Sequence, residues 1–131
     1  MVIDTSALIA ILLREPEAEK FAKAIISNRK RLLSAFSALE TGVVIEARKG
    51  NPGKQELDLL LSYTKIDIVA LNDEQVQMAM EAWRKFGKGH HPAKLNLGDC
   101  CSYALAKYFD EPLLFKGNDF NQTDIKIVQL T

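Results

Sequence analysis

The stretch Lys65-Ile66-Asp67-Ile68-Val69-Ala70-Leu71-Asn72-Asp73-Glu74 changes its periodicity halfway along. Ile66, Ile68 and Ala70 alternate with polar or mixed neighbours, the period of two that a strand shows. Asn72 then suits a helix N-cap, with Asp73 and Glu74 in the first turn, where the helix dipole favours acids. The spacing predicts a helix from there through Phe86. A strand delivered straight into a helix is the repeating step of an α/β fold.

The same step recurs on both sides. Upstream, the short apolar start Met1–Ile3 leads to a helical stretch over Ser6–Leu13, and Pro16 suits the first turn of a second helix carrying Ala18, Phe21, Ala22, Ile25 and Ile26. Arg31–Ala35 reads as strand two. Ser37 opens a helix to about Lys49, Gly50-Asn51-Pro52-Gly53 breaks it, and Lys54–Tyr63 is helical again. Downstream, Gly87–Pro92 is a loop, Asn96 or Gly98 begins a helix to about Tyr108, and Pro112–Lys116 and Lys126–Leu130 supply strands four and five. Strands separated by helices require crossover connections. The expected fold class is therefore α/β, a three-layer α/β/α sandwich around a central, mainly parallel sheet.

The chain has 131 residues, which predicts one domain over 1–131. At 47% hydrophobic and 26% charged it is neither a disordered chain nor a fibrous repeat. Seventeen basic residues balance seventeen acidic ones, which argues against coating nucleic acid or membrane by bulk charge and leaves local patches open. Cys100 and Cys101 are adjacent, a poor geometry for a disulfide, and lack the spacing of a zinc or redox pair; small buried side chains are expected. With reduced thiols, no basic leader and no apolar run long enough to span a bilayer, a cytoplasmic location without membrane contact is expected.

Open parallel sheets bind ligands beyond the carboxyl ends of their strands, and acidic residues gather there. Asp4 follows strand one, Glu40 lies in the first turn of the helix after strand two, Asp99 starts the helix after the histidine loop, and Asp119 comes soon after strand four. Each has a structural explanation as well. Ser37 and Glu40 fit a capping box, Asp99 complements a helix dipole, and Asp119 suits a turn. Asp4, which interrupts an apolar run, has none so ready. If the four converge, each pair repels by about 4 kcal/mol at about 4 Å and an effective dielectric near 20, so the cluster must take up protons or bind a cation. All the donors are oxygens, which selects Mg²⁺ or Mn²⁺ over zinc. Such a site activates water and neutralises a phosphodiester, so hydrolysis of that bond is the expected chemistry.

Other enzyme classes fit less well. A haloacid-dehalogenase-type phosphatase needs an Asp where Ser6 stands, a receiver domain needs a phosphoacceptor Asp where Val69–Asn72 offers none, and Gly87-Lys88-Gly89 is not a nucleotide-binding loop. The segments Met1-Val2-Ile3-Asp4-Thr5-Ser6-Ala7, the helix-borne Glu40, Leu95-Asn96-Leu97-Gly98-Asp99-Cys100 and Phe115-Lys116-Gly117-Asn118-Asp119-Phe120 together resemble the ordered acidic motifs of the PIN domain, in particular its VapC toxin branch. The resemblance spans essentially the whole chain. It implies an endoribonuclease toxin of a type II toxin–antitoxin system, held in check by a VapB-type antitoxin and assembled as a homodimer. Matched position by position, Asp4 and Asp99 resemble the principal metal ligands, and Glu40 and Asp119 the other two acidic members. Ser6 resembles the hydroxyl that supports the metal shell, and Asn96 a supporting or substrate contact. Many relatives carry an acid where this chain has Asn118.

The cations also find a place. Arg84, Lys85, Lys88 and Lys94, with His90 and His91, precede Asp99 with no acid among them, and Arg48, Lys49 and Lys54 follow Glu40. Such residues can hold the phosphates of an RNA substrate, or simply be solvated. The adjacent histidines lack the spacing of a metal pair and read as ordinary loop residues. Ile9, Ile11 and their neighbours make the first helix apolar all round, and the Leu57–Leu61 segment is leucine-rich, which predicts core or partner contact. Trp83 with Met80 and Phe86 reads as core or interface. The alternative to a nuclease is a non-catalytic PIN-like scaffold that binds RNA or protein.

Overall fold

The structure is a computed structural model that describes residues 1–131. Four short strands, β1 (Val2–Ile3), β2 (Leu32–Ser34), β3 (Asp67–Val69) and β4 (Leu113–Leu114), lie in the order β3-β2-β1-β4, every neighbouring pair parallel. The register pairs Val2 with both Leu32 and Leu113, so β1 is central. The helices are α1 (Thr5–Leu12), α2 (Ala18–Ser27), α3 (Ala35–Tyr63), α4 (Asp73–Phe86) and α5 (Leu97–Phe109), with a short 3₁₀ turn at Phe120–Gln122.

Successive residues of a strand point to opposite faces, and the core divides accordingly. Val2, Leu32 and Leu113 join Leu95, Tyr103 and Leu105 in one cluster, whereas Ile3, Leu33 and Leu114 join Leu8, Phe21 and Ile25 in another. Both faces of the sheet are covered at β1, β2 and β4, which is why these strands are apolar on successive residues, whereas β3 at the edge is largely exposed. The three-layer α/β/α expectation is met.

Two local expectations are corrected. Lys126–Leu130 is not a strand: only a single parallel bridge, Leu113 to Ile127, extends the sheet beyond β4. Leu113 alone reaches it, its amide donating to the Lys126 carbonyl and its carbonyl accepting from the Val128 amide. The helix expected from Ser37 begins earlier, at Ala35 with Ser34 as N-cap, so Ser37 is a buried residue of the helix interior and makes no capping box with Glu40. The break expected at Gly50 is present as a kink inside α3, where Gly50 adopts φ 64° and ψ −155°, a conformation open to glycine alone. β3 is shorter than its sequence pattern, because Lys65 with φ 50° and Ile66 still belong to the turn that ends α3.

Candidate active site

Asp4 leaves the sheet at the carboxyl end of β1, its amide still bonded to the Leu114 carbonyl at 2.9 Å. It is also the N-cap of α1: the Ser6 amide donates to Asp4 Oδ2 at 3.0 Å and the Ser6 hydroxyl to the same oxygen at 2.7 Å. The other oxygen, Oδ1, accepts from the Ser102 hydroxyl at 2.6 Å. Only 4% of Asp4 is exposed, so this carboxylate is desolvated yet fully provided with donors. Ser6 in turn accepts from the Lys116 amide at 2.9 Å, which ties the segment leading to Asp119 back to Asp4.

Glu40 approaches from the second turn of α3, and its Oε1 accepts from the Thr5 hydroxyl at 2.7 Å. The carboxylate lies flat on the start of α5. A Cβ added to Gly98 would stand 2.6 and 2.7 Å from its two oxygens, so residue 98 must be glycine for Glu40 to reach this place. Asp99 follows and forms a reciprocal capping box with Asn96: the Asn96 amide donates to Asp99 Oδ2 at 3.0 Å, and the Asp99 amide to Asn96 Oδ1 at 2.9 Å. The capping expected of Glu40 is thus carried by Asp99, and Asn96 acts on Asp99 itself.

Burial pushes the Asp99 carboxyl up from 3.8 to about 7, with Asp4, Asp119 and Glu40 adding to the rise against a lowering hydrogen bond from Asn96. Asp119 lies just before the 3₁₀ turn and is exposed, and its side chain caps nothing. Asp4 and Asp99 thus stand at the end of β1 and at the start of α5, Glu40 lies against Gly98 beside Asp99, and Asp119 follows the segment that Ser6 ties to Asp4. No three acidic, histidine or cysteine side chains meet at a single point.

The donor chemistry around this edge suits a hard divalent cation. Carboxylates, hydroxyls and the Asn96 amide supply oxygen. The thiols of Cys100 and Cys101 are buried and pushed up to about 11, so neither offers a thiolate at neutral pH. His91 Nδ1 accepts from the Ala93 amide at 3.0 Å, and the His90 ring stands edge-on to Trp83 with centroids 4.5 Å apart, which leaves both histidines as loop residues.

The cationic segments divide on inspection. Lys49 pairs with Glu56 at 3.3 Å and Lys54 with Asp58 at 2.6 Å, so these two serve α3 itself. Arg84, Lys85, Lys88 and Lys94 are exposed and make no ion pair within the chain. Sequence reasoning missed Thr5, Ser37, Gly98 and Ser102. Ser102 stands three residues after Asp99 and Ser37 three before Glu40, the spacing that puts two residues on one helix face. That spacing was the available signal.

A parallel sheet with helices on both faces and four acids at one edge defines the PIN class, and the PIN domain model matches residues 1–126: the chain belongs to the PIN-domain family. Within it the chain falls in the VapC branch. It is 55% identical to Ribonuclease VapC30 of Mycobacterium tuberculosis over 99% of each chain, and 52% identical to Ribonuclease VapC of Mycolicibacterium smegmatis over 98% of this chain and 99% of that one. Its fold matches M. tuberculosis VapC20, a sarcin–ricin-loop-cleaving toxin, with a TM-score of 0.78 at 14% identity over 98% of each chain. VapBC2 from Rickettsia felis, bound to a fragment of its promoter DNA, gives a TM-score of 0.78 at 12% identity over 99% of this chain and 98% of that one.

Proposed function

We propose that Asp4, Glu40, Asp99 and Asp119 are the catalytic carboxylates of this chain, a metal-dependent endoribonuclease that acts as the toxin of a type II toxin–antitoxin pair. The chain is a ribonuclease of the VapC class. The observation that supports the assignment of residues is that Asp4 is bonded to Ser102 of α5, Glu40 lies against Gly98 beside Asp99, and the segment leading to Asp119 is bonded to Ser6 beside Asp4.

Asp4 and Asp99 would hold the metal, Mg²⁺ or Mn²⁺, with Glu40 and Asp119 as further ligands. When bound, such an ion supplies an activated water and offsets charge developing on the phosphodiester. Ser6 and Ser102 keep the Asp4 oxygens oriented, Thr5 does the same for Glu40, and Asn96 fixes Asp99. The exposed, unpaired Arg84, Lys85, Lys88 and Lys94 suit the phosphates flanking the cleaved bond.

Partners follow from the class. A VapB-type antitoxin and a second copy of the chain both need apolar contact, and Met80, Trp83 and Leu97 on α4 and α5, with Leu39 and Val43 on α3, are large apolar side chains left exposed. Trp83, expected in core or interface, is thus no core residue. No helix is long and apolar enough to cross a membrane.

A scaffold that merely binds RNA has no need of the complete acidic set, so the catalytic reading is favoured. The test compares wild type with Asp4→Ala and Asp99→Ala for RNA cleavage in Mg²⁺ or Mn²⁺ and for growth arrest on expression. Wild type is expected to cut and to arrest growth, and both variants to do neither. Arrest by the variants as strong as by wild type would sink the assignment.

A further inference from the structure

Ser102 and Ser37 lie under the acidic edge, both wholly buried, and no step of hydrolysis calls on them directly. The Ser102 hydroxyl is 2.6 Å from Asp4 Oδ1, and the Ser37 hydroxyl is 3.3 Å from that of Ser102. Proton accounting gives this chain a direction. The Ser102 hydroxyl donates to Asp4 Oδ1 and has a single proton, so that proton is committed to Asp4. The proton in the Ser37–Ser102 contact must then come from Ser37. The result is a one-way series: Ser37 donates to Ser102, and Ser102 donates to Asp4.

The series also crosses elements. Ser37 belongs to α3 and stands one turn before Glu40; Ser102 belongs to α5 and stands one turn after Asp99; Asp4 ends β1. The two hydroxyls therefore tie the Asp4 carboxylate to α5 and α3, the helices that carry Asp99 and Glu40. We propose that Ser102, backed by Ser37, is the positioning residue of the acidic centre, setting the orientation of the Asp4 carboxylate and with it the approach of α3 and α5. The inference rests on the reading of Asp4 and Asp99 as ligands of a divalent cation.

The decisive property is the series connection, because removing the far member matters only while the near one is present. Mn²⁺ binding to the RNA-free protein, followed by calorimetry, reads it without reference to cleavage. Ser102→Ala is expected to weaken Mn²⁺ by about ten- to hundredfold, the usual effect of losing a group that orients a ligand. Ser37→Ala is expected to weaken it a few-fold, and the double variant to match Ser102→Ala within about twofold, whereas independent sites would multiply. Ser102→Thr, which keeps the hydroxyl, is expected to retain binding, with thermal melting confirming that each variant is folded. Wild-type affinity in Ser102→Ala, or a double variant equal to the product of the singles, would overturn the proposal. If wild type itself bound no Mn²⁺, the metal reading would fail instead. A crystal structure of Ser102→Ala would then decide the relay: an Asp4 carboxylate turned from its present orientation supports it, and an unmoved one refutes it.

Discussion

On one side of α5, Asp99 and Ser102 belong to the acidic edge; on another, Leu97, Cys100 and Cys101 line an apolar groove of about 470 Å³ shared with Val76, Met80 and Trp83 of α4. The first surface is rich in hydrogen bonds and electrostatically strained. The second has almost no polar atom to satisfy and is uncovered in the single chain. Chemistry needs the first kind, where charge is held in place against its own repulsion. The second is the kind that associates with another apolar surface. Their adjacency means that whatever covers the groove sits within a helical turn of Asp99.

The largest test of this contrast is to discharge one side alone. Asp99→Asn and Asp4→Asn are near-isosteric and leave the groove intact. Each is expected to reduce RNA cleavage by a thousandfold or more, about 4 kcal/mol of barrier, in a single-turnover assay with Mn²⁺. Loss of less than tenfold would remove both residues from the catalytic centre.

A subtler change acts through shape. Gly98→Ala would bring a methyl to 2.6 Å from Glu40, and the carboxylate must swing away. Alanine is the better helix residue by about 1 kcal/mol, so the melting temperature is expected to hold or rise while cleavage falls by about ten- to hundredfold. Cleavage at the wild-type level would mean that Glu40 does not need its seat on α5.

The opposite side is probed by Met80→Gln with Leu97→Gln, two exposed positions where a neutral polar side chain costs the monomer little and adds no charge beside Asp99. Self-association, or binding of a VapB-type antitoxin, is expected to weaken about tenfold by sedimentation or titration. The intrinsic Mn²⁺ affinity should stay within about twofold. A variant that lost metal and kept its partners would invert the division of labour between the two sides.

How far the sequence discloses these surfaces differs in the same way. The acids could be picked out because four of them fall where the strands end, although Asp4 and Asp99 also cap helices, and the α/β order was legible from periodicity. The hydroxyls were not. Ser37 looked like a cap because its spacing to Glu40 is that of a capping box, and only the earlier helix start at Ala35 shows it to be interior. The capping box at Asn96 and Asp99 was hidden for the converse reason, since a residue read as a ligand was not also read as a cap. The groove could be read only on its α4 side, where Met80 and Trp83 suggest core or interface, because Leu97 lies on a different helix and joins them only when α4 packs on α5. Lys126–Leu130 carries a strand-like pattern, but a strand needs a partner, and β4 offers it a single bridge.

The smallest expected effect measures the strain itself. Asp99 releases its proton near 3.8 when unfolded and near 7 when folded, raised first by burial and then by its acidic neighbours. Between those values the folded protein holds a proton that the unfolded chain has lost, so stability falls as pH rises through this window. The contribution is complete below the unfolded value and gone above the folded one. Asp99 is only half-buried, and solvent screening reduces the effect to about 1 kcal/mol, or about 5 °C in melting temperature. Asp99→Asn is neutral at every pH, so its melting curve should lack the decline that Asp99 itself causes. The measurement is the wild-type-minus-variant difference in melting temperature, in chelator, from pH 4.5 to 8. A difference that stays flat would show that the acidic edge is no more strained than the groove beside it. With Mn²⁺ present the ionised carboxylate is favoured, and the wild-type decline should shrink or reverse.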